Sequence, residues 1–113
     1  MHELSLAGGI LQLVEDTAAR EAFTRVLQLR LEVGKLAAVE VHALRFALES
    51  LAPGTVLEGA EVVVDEPPGQ AWCMGCSQTV EIAARGDPCP SCGGHWLTPQ
   101  GGDALRVVDM QVA

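Results

Sequence analysis

The sequence predicts an α+β fold in which two helices pack on a three-stranded β-sheet and a cysteine-rich module is inserted before the last strand. Three observations predict it. Two stretches repeat their apolar residues at helical spacing, and each is followed by a stretch of strand character. All four cysteines fall in one late segment as two Cys-x-x-Cys turns. The length of 113 residues suits one domain carrying a small appendage.

Taken in order, residues 4–23 place Leu6, Ile10, Leu13, Val14 and Thr17 at spacings of three and four, the mark of an amphipathic helix. Gly8 and Gly9 near its start cost helix propensity and imply either close packing or local mobility. From Arg25 the pattern alternates strictly. Leu27, Leu29, Leu31 and Val33 face one side, Gln28, Arg30 and Glu32 the other, and Gly34 ends a half-buried strand. Between Val39 and Leu51 the helical period returns through Val41, Leu44, Leu48 and Leu51, and Pro53-Gly54 stops it. Residues 60–65 form a second strand, broken by Glu66-Pro67-Pro68-Gly69, and residues 105–112 are β-branched enough for a third. The expected domains are residues 1–69 plus 98–113 as an α/β unit and residues 70–97 as the cysteine module.

Composition narrows the function. The chain is 49% hydrophobic with 19% charged residues, enough apolar material for a core. Its longest apolar runs, such as Val62-Val63-Val64, are far too short to span a membrane. The start Met1-His2-Glu3-Leu4 has neither the basic nor the apolar part of a signal peptide, so the expected location is cytoplasmic and the cysteines are expected to be reduced. With 15 acidic against 7 basic side chains the formal charge is -8, and the cations are scattered from Arg20 to Arg106. A phosphate backbone would be repelled, which argues against nucleic-acid binding.

The cysteines read Cys73-Met74-Gly75-Cys76 and, after twelve residues, Cys89-Pro90-Ser91-Cys92-Gly93-Gly94. Each turn points two sulfurs at a common centre, and two turns complete a tetrahedral four-sulfur site, which zinc fits best. The segment is therefore read as a four-cysteine zinc ribbon. It needs the metal's folding energy, because only Val80, Ile82 and nearby alanines lie between the knuckles to form a core. Rubredoxin-like iron binding uses similar knuckles, and two disulfides would suit a secreted chain. Trp72 and Trp96 flank the module, with packing across the ribbon base as the first reading and partner contact as the second.

Three histidines complete the candidate ligands. His42 lies on the second helix, where a helix-face or packing role is the simplest account. His95 directly follows the second knuckle and reads as a surface or zinc-shell residue. At position 2, an α-amine, the following amides and the His2 imidazole offer the set of nitrogens that suits nickel(II) or copper(II). Taken alone, a terminal histidine is weak evidence and is more often just an unstructured end.

The opening Met1-His2-Glu3-Leu4-Ser5, the helix-strand-helix-strand order and the knuckles Cys73-x-x-Cys76 and Cys89-Pro90-x-Cys92-Gly93 together resemble the HypA/HybF family of [NiFe]-hydrogenase nickel-insertion proteins. Gly101-Gly102-Asp103-Ala104-Leu105 is also similar to that family's Gly-x-Glu-Leu segment. The resemblance implies a nickel metallochaperone with two unlike metal sites. Nickel(II) would be held at Met1, His2 and Glu3, and structural zinc(II) at Cys73, Cys76, Cys89 and Cys92. It further implies delivery to a hydrogenase large subunit with a HypB-like GTPase, in some members also work with urease maturation proteins, and no catalysis by the chain itself. The alternative is a zinc-stapled protein-interaction module with no nickel site of its own. An enzyme has least support: the sequence holds no phosphate loop, and its cysteines are committed to metal.

Overall fold

In the computed structural model, which describes residues 2–113, two helices and two three-stranded sheets are formed. Helix α1 spans His2–Glu21, strand β1 Val26–Val33, helix α2 Val41–Leu51 and strand β2 Glu61–Asp65. Strands β3 (Gly69–Cys73), β4 (Gln78–Ile82) and β5 (Leu97–Gly101) follow, and β6 (Leu105–Val112) closes the chain. One sheet runs β2-β1-β6 and the other β4-β3-β5. The chain divides into two compact units, one of residues 1–31, 39–64 and 107–113, the other of residues 32–38 and 65–106.

In the first unit, α1 and α2 pack on each other. The buried positions of α1 are Glu3, Ala7, Ile10, Val14 and Ala18, a face rotated away from the leucines that the sequence pattern favours. Leu13 is 50% exposed, and two alanines take the inner positions. Small side chains at those positions let another element come close. Gly8 and Gly9 do not serve close packing, since a Cβ on either would meet nothing within 4 Å. The helix ends where Ala22 takes a left-handed conformation, φ 58, and the Phe23 amide donates to the Ala18 carbonyl at 3.2 Å.

Helix α2 starts at Glu40, whose carboxylate accepts from the amides of His42 (3.3 Å) and Ala43 (2.6 Å). It buries Leu44, Ala47 and Leu48. In β1 the alternation holds for buried Leu29, Leu31 and Val33 but not for Leu27, which is 48% exposed while Val26 is buried in its place. The opposite face is tied by polar pairs: Gln28 donates to Glu61 at 2.9 Å, Arg30 lies 3.8 Å from Asp109, and Arg106 grips both oxygens of Glu32 at 3.2 Å.

The second unit is built around β3, which pairs antiparallel with β4 and with β5, with a bulge between Gln70 and Ala71 on the β5 side. Its core is Leu36, Ala71, Cys73, Val80, Ile82 and Cys89, with Cys76 and Leu97 against it. The alanines between the knuckles, Ala83 and Ala84, are exposed, and the Asp87 carboxylate accepts from both their amides. Leu36 takes their place from far upstream. Its segment is pinned by backbone bonds from Gly34 to Ala104, Lys35 to Pro67 and Leu36 to Gly102, between 2.8 and 3.0 Å. Gly102 sits at φ 74, and a Cβ there would collide with the Pro68 carbonyl, a conformation and a close approach that call for glycine.

Candidate metal centre

Four thiols converge in the second unit. Cys73 ends β3, Cys76 lies on the turn to β4, and Cys89 and Cys92 occupy the loop before β5. The knuckles share one local design. In the first, the Ser77 amide donates to the Cys73 carbonyl at 2.8 Å with Ser77 at φ 53; in the second, the Gly93 amide donates to the Cys89 carbonyl at 2.8 Å with Gly93 at φ 74. Each reversal leaves amides facing sulfur: Cys76 N–H lies 3.4 Å from Cys73 Sγ, and Ser91 N–H 3.4 Å from Cys89 Sγ. Such donors stabilise negative charge on sulfur. The Cys89 amide donates to the Gly94 carbonyl (2.7 Å) and closes the second loop on itself, and the Met74 amide donates to the Trp96 carbonyl (2.9 Å) and ties that loop to the first.

The sulfurs all lie within 4.8 Å of one another, with Cys73 3.7 Å from Cys92 and Cys76 3.8 Å from Cys89. A disulfide requires about 2.05 Å, so none is formed. Zinc–sulfur bonds of about 2.3 Å in a tetrahedron set sulfurs about 3.8 Å apart. The donor set and its spacing therefore fit a four-thiolate ion. Without a cation the thiols compete for charge. Donation from the Cys76 thiol to the Cys92 sulfur, aided by burial, pushes Cys76 up to about 12, whereas the Cys92 and Ser91 amides draw Cys89 down to about 7. A positive ion removes that conflict.

Cys92 is exposed and Cys73 buried, yet both line a cavity of about 260 Å³ with Gly75, Gly94, His95 and Trp96. His95 is exposed at its rim. Trp72 is half-buried in β3, but Trp96 is 77% exposed and does not pack across the ribbon base. With Met74, 61% exposed, it lines a second hollow beside His95.

At the other candidate site, Met1 lies outside the described residues. His2 opens α1 with its imidazole 58% exposed, and His2 Nδ1 lies 3.2 Å from Glu3 Oε2. The same oxygen accepts the Glu40 amide at 3.3 Å. That amide above all holds the Glu3 carboxyl below its ordinary range. Glu40 thus joins the amino-terminal end to α2, a role the sequence signals only by its position just before a helix. His42 is exposed on α2, away from any ligand role among the described contacts.

The chain matches a family model described as hydrogenase/urease nickel incorporation, metallochaperone, hypA, over residues 1–112. Among curated relatives, hydrogenase maturation factor HypA of Polaromonas naphthalenivorans is 66% identical over 100% of this chain and 98% of its own length. The protein of that name from Cupriavidus necator is 63% identical over 99% and 94%. Among solved structures, the solution structure of the Ni metallochaperone HypA from Helicobacter pylori has a TM-score of 0.68 at 17% identity, covering 97% of this chain and 96% of that one. At that identity the likeness concerns the fold.

Proposed function

This chain belongs to the HypA family of hydrogenase and urease nickel-incorporation proteins, and from that premise we propose that it carries nickel(II) on its amino terminus to a hydrogenase precursor. The observation that carries the proposal is the position of His2 and Glu3 in the first turn of α1. Amides of a first turn have no carbonyl partner within the helix. They stand beside an exposed imidazole, and with the Met1 amine they make a nitrogen set suited to nickel(II). Glu3 acts from the side: its carboxylate, tethered by the Glu40 amide and 3.2 Å from His2 Nδ1, places negative charge beside the ion. A site at a chain end exchanges its ion readily, which suits delivery.

The second unit has a different task. Cys73, Cys76, Cys89 and Cys92 would hold zinc(II), which supplies folding energy to a core of only six residues. Thiolates select zinc and nitrogens accept nickel, so the two sites keep their metals apart. Nucleotide hydrolysis comes from a HypB-type GTPase, and the hydrogenase large subunit, or a urease maturation complex, receives the metal in the cytoplasm. No helix among the described residues is long and apolar enough to cross a membrane.

Complementation of cells that lack this protein tests the proposal. Wild type restores hydrogenase activity, and His2→Ala does not unless the medium is supplemented with nickel. Full activity with His2→Ala in low nickel would favour the zinc-stapled interaction module instead.

A further inference from the structure

We infer that the cysteine centre has one oxidisable face, and that a hydroperoxide entering there joins Cys73 to Cys92 and releases the metal. The inference rests on the zinc reading of the four thiolates. Its basis is the cavity of about 260 Å³, whose walls include Cys73 and Cys92 but neither Cys76 nor Cys89. Cys92 is the exposed member of the four, and its Sγ lies 3.7 Å from that of Cys73. The two sulfurs that border this cavity, the exposed Cys92 and the buried Cys73, are thus drawn from different knuckles. Glycine keeps this face open: a Cβ on Gly75 would stand 3.6 Å from Cys92 Sγ and 3.8 Å from Cys73 Sγ, and one on Gly94 3.4 Å from Cys92 Sγ.

The chemistry balances with the peroxide as sole oxidant. The Cys92 thiolate attacks one peroxide oxygen, the O–O bond breaks, and hydroxide leaves a sulfenic acid on Cys92. The Cys73 thiolate then attacks the Cys92 sulfur, the S–S bond forms, and a second hydroxide departs. Two thiolates lose two electrons, and the peroxide becomes two hydroxides that take up protons as water. The ion is left with Cys76 and Cys89 alone, an incomplete set from which it dissociates.

The test uses untagged, zinc-loaded full-length protein and hydrogen peroxide, with released zinc followed by a chromogenic chelator and disulfides mapped by tandem mass spectrometry after trypsin. Cleavage at Arg85 separates the knuckles, so a bridge between them holds two tryptic peptides together and a bridge within one does not. The expected result is zinc release in step with a first disulfide between Cys73 and Cys92. Gly75→Ala, which adds a methyl at ordinary contact distance from both sulfurs, keeps zinc and reacts several-fold more slowly. A first bridge within a knuckle, or one between Cys76 and Cys89, overturns the inference, as does a zinc-bound Gly75→Ala protein oxidised at the wild-type rate. Protein purified without zinc, and unable to take it up, would instead sink the zinc reading beneath it.

Discussion

Replacing Leu36 with alanine removes the one large side chain that reaches the cysteine unit from the β1–α2 connection. Leu36 is 2% exposed and packs with Ala71, Cys73, Val80, Ile82 and Cys89. The site has little room to collapse: a Cβ on Gly69 would already lie 2.5 Å from Leu36 Cγ. Buried leucine to alanine changes cost about 2 to 5 kcal/mol, and a poorly relaxing site in so small a core warrants about 3. Because zinc binding and folding of such a unit are one equilibrium, the loss appears as weaker metal retention. At about 1.4 kcal/mol per tenfold, zinc should transfer to a competing chelator at roughly 100-fold lower chelator activity than from wild type. Leu44→Ala, buried in the other unit, serves as the control and leaves zinc transfer near wild type. A shift for Leu36→Ala smaller than about threefold would refute the argument that this core and the metal share their stability.

Two further outcomes follow from local geometry. Gly34→Ala drives a methyl into the Gly102 carbonyl, so the variant should lose zinc to chelator even more readily than Leu36→Ala, and a zinc affinity equal to wild type would contradict the close approach. Glu3 titrates below its ordinary value near 4.5, so its ionised form contributes stability that is present above that value and lost as pH falls below it. The difference in urea midpoint between wild type and Glu3→Gln should therefore be visible near neutral pH and shrink on acidification through that window, and a pH-independent difference would exclude the charge as its cause.

Much of this architecture is written in local patterns. The strict alternation of β1, the heptad-like spacing of α2 and the strand at residues 61–65 depend on near neighbours, and all three form within two residues of where the periodicity places them. The knuckles are equally local, since each Cys-x-x-Cys turn is set by its own backbone. What the sequence does not disclose is long-range. Leu36 looks like the end of a strand loop, and only the backbone bonds to Pro67 and Gly102 carry it into the cysteine core. The inner face of α1 differs from the periodicity for a related reason: Ala7 and Ala18 are selected by how closely other elements approach, which hydrophobic spacing does not record. Strands β3, β4 and β5 are only five residues each, and β5 carries Pro99 at a sheet edge. Their pairing is held by the converging knuckles more than by strand propensity. Exposure of Trp96 is equally invisible in the sequence, which records the residue type but not that it is left 77% exposed.

Nickel titration of untagged, zinc-loaded protein beside His2→Ala, with zinc quantified in both, decides whether the amino terminus is the nickel site. Wild type should bind one nickel per chain, His2→Ala none, and both should retain one zinc. Equal nickel binding by the two proteins, or none by either, would rule out His2 as the nickel ligand.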